Sequence, residues 1–92
     1  MAQEPRPTPL TITPSFKKRL KRKPAALQAA IVECITRLSA NTRHPSLQTH
    51  PVRGHKGVFE AYIDMANRLT FHYEAGRIVL RNHCNHDILK SP

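Results

Sequence analysis

The stretch VFEAYIDMANRLTFHYEAGRIVLRNHCNHDIL, residues 58–89, decides the fold. Phe59, Ala61, Ile63 and Met65 alternate with Val58, Glu60, Tyr62 and Asp64, the period of two that marks a half-buried strand. Arg68 to Tyr73 repeats it, with Leu69, Phe71 and Tyr73 on one face and Arg68, Thr70 and His72 on the other. In a third strand Ile78, Leu80 and Cys84 share a face, with Val79, Arg81 and His83 opposite. Ala75-Gly76 joins the last two strands, and Gly76 supplies the positive φ of a short hairpin loop. Met65-Ala66-Asn67 is the expected turn between the first two. The pattern predicts an antiparallel meander with one apolar face. Its other face carries Arg, His and Tyr, and function is expected there.

Upstream of the meander, the chain supplies what must cover that apolar face. Residues 1–9 hold three of the eight prolines and almost nothing apolar, so they read as a disordered leader. Residues 10–92 then form one domain. Leu10-Thr11-Ile12 is short and β-prone, suited to the sheet's edge. Thr13-Pro14 starts a helix, Thr as N-cap and Pro at the first position, running to about Lys23 with Phe16 and Leu20 inward. From Pro24 to Ala40, Leu27, Ile31, Cys34, Ile35 and Leu38 recur at helical spacing and make one apolar stripe. Asn41 is read as a left-handed C-terminal residue, and His44-Pro45 confirms that the helix has stopped. Residues 41–57 form a polar loop with His44, His50 and His55 beside Arg43, Arg53 and Lys56, a natural place for a binding site. The expected class is α+β, in the order β-α-α-β-β-β, with two N-terminal helices on one face of an antiparallel sheet.

Charge narrows the partners. Fifteen Lys and Arg against six Asp and Glu give +9 and a pI near 10.4, a field that draws polyanions. Lys17, Lys18, Arg19, Lys21, Arg22 and Lys23 place six basic residues in seven, a phosphate-tracking surface or a dock for an acidic partner. No apolar run approaches the ~20 residues of a membrane span, and no signal-peptide core opens the chain, so a cytoplasmic protein with no membrane partner is expected. Cys34 and Cys84 are too few for a disulfide framework and read as reduced, buried thiols.

The histidines suggest chemistry. Cutting RNA without a metal needs a base for the ribose 2′-OH, an acid for the leaving 5′-oxygen and cations on the phosphate. Histidine suits both proton roles, and the planar fork of arginine suits the phosphate. His50, His86 and Arg68 can supply that set, with Arg53, Lys56 and Arg81 adding field. A zinc reading of His83-Cys84-Asn85-His86 is weaker, because strand alternation turns His83 and Cys84 to opposite faces and too few ligands remain. No metal or other cofactor is expected.

The order of elements resembles the RelE/ParE superfamily of toxins from bacterial type II toxin–antitoxin systems. So do TPSFKKRL at residues 13–20, LQTHPVRG at 47–54, the NRLTFHY strand and the closing NHDIL. Over about residues 10–90 the chain looks nearest to the YafQ-like branch. The resemblance implies an mRNA interferase that cuts codons in the A site of the 70S ribosome and is neutralised by a cognate antitoxin, an acidic, amphipathic or extended segment. It implies His50 as a candidate general base, His86 as a candidate general acid, in either order, and Arg68 on the scissile phosphate.

Three positions depart from that branch. Tyr62 stands where a histidine is expected and would stack or hydrogen-bond. Ala66 or Asn67 replaces an aspartate for which Asp64 is the available substitute. Lys90 takes the place of an aromatic near the C-terminus, so a stacking contribution of roughly 1–3 kcal/mol would be absent and a cation left to meet RNA. Two other functions stay open: a ParE-like inhibitor of DNA gyrase, which needs no acid–base pair, and a catalytically weakened RNA- or ribosome-binding relative.

Overall fold

The chain's longest apolar stripe and its alternating strands meet as expected in a computed structural model, which describes residues 8–85. The elements run β1 (Leu10–Thr11), α1 (Pro14–Lys21), α2 (Ala25–Ala40), β2 (His50–Pro51), β3 (Val58–Tyr62), β4 (Asn67–Glu74) and β5 (Arg77–Asn85). A single 3-10 turn, Pro45–Leu47, precedes β2. Thr13 caps α1 as its sequence predicts, its hydroxyl accepting from the Phe16 amide. The left-handed residue expected at Asn41 is not there: Asn41 is extended, and Gln48, after the 3-10 turn, takes the positive φ instead.

The five strands lie in the order β1-β5-β4-β3-β2. β2 to β5 are antiparallel, but β1 pairs parallel to β5, so the sheet is mixed at that edge rather than wholly antiparallel. Arg77 clamps β1 there, donating to the Leu10 carbonyl and the Thr11 hydroxyl. Both outer strands are two residues long, which leaves little open edge for a further strand to extend. Thr8 and Pro9, read as leader, belong to the folded unit: Thr8 exchanges hydrogen bonds with Ser39, and the Pro9 carbonyl accepts from the Ile78 amide.

Both helices cover one face of the sheet. Phe16, Ile31, Ile35 and Leu38 pack on Ala61, Leu69, Phe71, Ile78 and Leu80, with Leu47 closing one end. This is the apolar face the alternation predicts, with one exception in β5. The pairing is Phe71↔Leu80 but Thr70↔Asn82, so β5 carries one extra residue. The Thr70 hydroxyl latches this bulge, donating to the Asn82 carbonyl and accepting from its amide, both at 3.1 Å. A bulge inverts the parity of every residue beyond it. Cys84 therefore pairs with Arg68 on the face away from the helices, and His83 turns toward α1, the reverse of the expectation for both.

Candidate active site

The face of the sheet without helices is built from two rows of side chains. Cross-strand pairing sets His50 beside Glu60 and Glu60 beside Thr70; one step along, Tyr62 lies beside Arg68 and Arg68 beside Cys84. His50 and Arg68, separate in the sequence, thus share one face, about 12 Å apart by strand spacing.

The His50 segment is held at both sides by buried apolar anchors, Leu47 at 1% exposure and Val52 at 6%. The Val52 amide donates to the Val58 carbonyl and closes the loop at the base of β3. Gly54 and Gly57, with φ of 82° and 81°, let it reverse twice at the tip. Within this frame the His50 ring is fixed at both nitrogens: Nδ1 is 2.7 Å from the Gln48 carbonyl, and Nε2 is 2.5 Å from Glu60 Oε1. The imidazole is 55% exposed, whereas the Glu60 side chain is only 7% exposed. Oε2 of Glu60 is buried with no hydrogen-bond partner among the described residues.

Arg68 is set by its own turn. Its Nη1 donates to the carbonyls of Asp64 and Asn67, and its guanidinium carbon lies 4.7 Å from the centre of the Tyr62 ring. Among the described residues neither Nε nor Nη2 of Arg68 donates, so that edge of the fork can meet a phosphate. Asp64 uses its carboxylate on the turn, accepting from the Ala66 amide and the Asn67 side chain, and the Asn67 bond above all holds its acidity below the usual carboxylate range. Asp64 therefore shapes the turn behind Arg68 rather than standing beside His50.

The remaining expected residues divide between two places. Arg53 lines the recess with His50, Pro51, Val52 and Glu60, and Lys56 is exposed at the same loop's tip. Arg81 borders the row, bonded through Nη1 to His72 Nδ1 at 3.1 Å. The basic run lies elsewhere, on α1 and the turn that follows it, across the sheet from His50 and Arg68; Lys23 is half-buried and the other five cations are exposed. Arg19 bridges toward β5 by donating to the Arg81 carbonyl at 2.8 Å. His44 serves its 3-10 turn, Nδ1 accepting from the Ser46 amide. His86 and Lys90 lie outside the described residues.

Glu60 is the participant that sequence reasoning passed over. Its signal was present: an acidic residue inside the strand VFEAY, on the face of Tyr62, where β-propensity disfavours it. Among the described residues no three His, Cys, Asp or Glu side chains gather as metal ligands, and no helix is long and apolar enough to cross a membrane.

The fold, two helices on one face of a five-stranded sheet, recurs in solved structures. Over 91% of the chain and 98% of its counterpart, it superimposes on the Escherichia coli DinJ–YafQ toxin–antitoxin complex with a TM-score of 0.65 at 16% identity. The toxin–antitoxin complex RelBE2 of Mycobacterium tuberculosis gives 0.65 at 24% identity over 87% and 99%. The YoeB dimer of Staphylococcus aureus gives 0.57 at 15% over 86% and 95%. The chain has the fold of the RelE, YafQ and YoeB toxins. No family model matches the sequence, and no curated protein matches it significantly. Identities this low carry the fold alone.

Proposed function

We propose that the protein is the toxin of a type II toxin–antitoxin pair, acting in the cytoplasm as a metal-free, ribosome-dependent mRNA endoribonuclease. The observation that carries this reading is the shared face of His50 and Arg68, with Tyr62 stacked on the guanidinium in the row beside that of His50. An imidazole for proton transfer, a guanidinium edge for the phosphate and a ring for a base are the groups that 2′-OH cleavage needs. His86 completes the acid–base pair in the sequence reading. The excess of positive charge supports both an RNA substrate and an acidic antitoxin, and the RelBE2 and DinJ–YafQ neighbours are toxin–antitoxin complexes.

Separation of the basic helix from this face favours two contacts with nucleic acid. The helix would track phosphates on the ribosome while the sheet face receives the mRNA strand, with Arg53, Lys56 and Arg81 at its margin.

Primer extension on translating ribosomes tests the reading. The expected result is cuts within A-site codons made by the wild type and absent with the His50→Ala, His86→Ala double variant. A folded wild type that arrests growth without cutting RNA would overturn it in favour of a gyrase inhibitor. RNA or ribosome binding without cleavage would indicate a weakened relative.

A further inference from the structure

We infer that Glu60 is the positioning residue for His50, gripping the ring by Nε2 so that Nδ1 is the nitrogen presented to the substrate. This rests on the reading of His50 as a proton-transfer group in RNA cleavage.

The hydrogen bonds lead there directly. The Gln48 carbonyl can only accept, so Nδ1 of His50, 2.7 Å away, carries a proton. Nε2 faces Glu60 Oε1 at 2.5 Å, and one further proton lies between those two atoms. The two contacts differ in character. Glu60 is buried in the sheet, flanked by Thr70 across β4, with Cys84 of β5 close enough to feel its charge, so its oxygen is a fixed point. The Gln48 carbonyl belongs to an exposed, left-handed residue at the loop's surface and is the partner that a ligand can displace. His50 and Glu60 line one recess with Pro51, Val52 and Arg53.

Stability does not account for this carboxylate. A buried Oε2 without a partner among the described residues destabilises the fold, and an apolar side chain in its place would not. A carboxylate bonded to the far nitrogen of an imidazole is the arrangement that orients a histidine for proton transfer. Here it gives His50 a direction. With Nδ1 already protonated, His50 donates. The 2′-oxygen bonds to phosphorus as its proton passes to a second group, for which His86 is the sequence candidate. The bond from phosphorus to the 5′-oxygen breaks, and Nδ1–H protonates that oxygen. The ring is left as the Nε2–H tautomer on the Glu60 carboxylate, and the RNA ends in a 2′,3′-cyclic phosphate.

The test compares wild type, Glu60→Gln and Glu60→Ala for cleavage of ribosome-bound mRNA, and for the proton signal of the pair by NMR. Glu60→Ala is expected to lower kcat by about 100-fold with KM within about twofold. Glu60→Gln, which keeps the volume and can still hold the ring, falls between. A far-downfield proton resonance from the Nε2–Oε1 contact should be present in the wild type and absent in both variants. Wild-type cleavage with Glu60→Ala equally active, or a wild type without the resonance, overturns the inference alone. A wild type that does not cleave RNA overturns the functional reading beneath it.

Discussion

Tyr62 and Arg68 face one another across β3 and β4, the guanidinium carbon 4.7 Å from the centre of the phenol ring. That pairing joins a charge to a stacking surface on the open face, beside the turn from β3 to β4. The ring backs the arginine on the same face that carries His50. Half-exposed cation–π pairs contribute roughly 0.5–1 kcal/mol. Tyr62→Ala should therefore lower stability by about that much in urea denaturation, and should weaken RNA binding where the ring stacks on a base. Tyr62→Phe should retain affinity. Fluorescence anisotropy with a short single-stranded RNA reads both. Arg68→Lys should bind nearly as well but cleave more slowly, because an ammonium lacks the planar fork.

The cations of α1 lie across the sheet from His50, so they should govern affinity without governing chemistry. Replacing Lys17, Lys18 and Lys21 with Gln removes three exposed charges. If each contacts a phosphate, the slope of log affinity against log salt for ribosome binding should fall by about two to three. Maximal cleavage at saturating ribosomes should stay within about twofold. A large loss of maximal rate would place the helix in the reaction itself.

Thr70 latches the β5 bulge through two hydrogen bonds to Asn82. Thr70→Val keeps the shape and removes both bonds, and should cost about 1–3 kcal/mol in urea denaturation. It should also expose Cys84, whose thiol burial keeps less acidic than usual. In the wild type neither Cys84 nor Cys34, pushed up to about 11 by burial, should react with maleimide at pH 7.5. In Thr70→Val, Cys84 should become the first to label.

His83 gives the fold an acid sensitivity of known sign. Turned toward α1, it is held below its ordinary range first by burial and then by Lys23, with Asp64 opposing. A histidine with a lowered folded-state pKa leaves the unfolded chain binding more protons. Its full stability is present above the unfolded value near 6.5 and is lost as pH falls through that value toward the folded one. The urea midpoint should thus be lower at pH 5.5 than at pH 7.5. His83→Gln, which can still bond Asn67, should flatten that difference.

Much of this molecule was legible in the chain because the signals are local. Thr13-Pro14 starts α1, the stripe from Leu27 to Leu38 makes α2, and alternation from Phe59 to Leu80 marks a sheet with one apolar face. Ala75-Gly76 specifies its hairpin, although Ala75 also takes a positive φ, as a two-residue loop matched to the strands' twist requires. These patterns fixed the α+β class, and the residue types of the polar loop and of the polar strand face named His50 and Arg68 as candidates.

The rest depended on register, which no local pattern contains. The bulge opposite Thr70 adds one residue to β5, and that single step moved Cys84 onto the open face and His83 behind it. Glu60 reads alone as a solvated strand residue; it becomes a buried partner only because β2 pairs at His50↔Glu60. The basic run reads as a phosphate-tracking surface or an acidic partner's dock with no stated place, and α1 packs on the side opposite His50 because Phe16 and Leu20 must join the core. Composition and period set which side chains exist and which face water. Strand pairing across distant segments decided which of them meet, because a hydrogen bond of 2.5 Å is fixed by tertiary register and not by spacing in the chain.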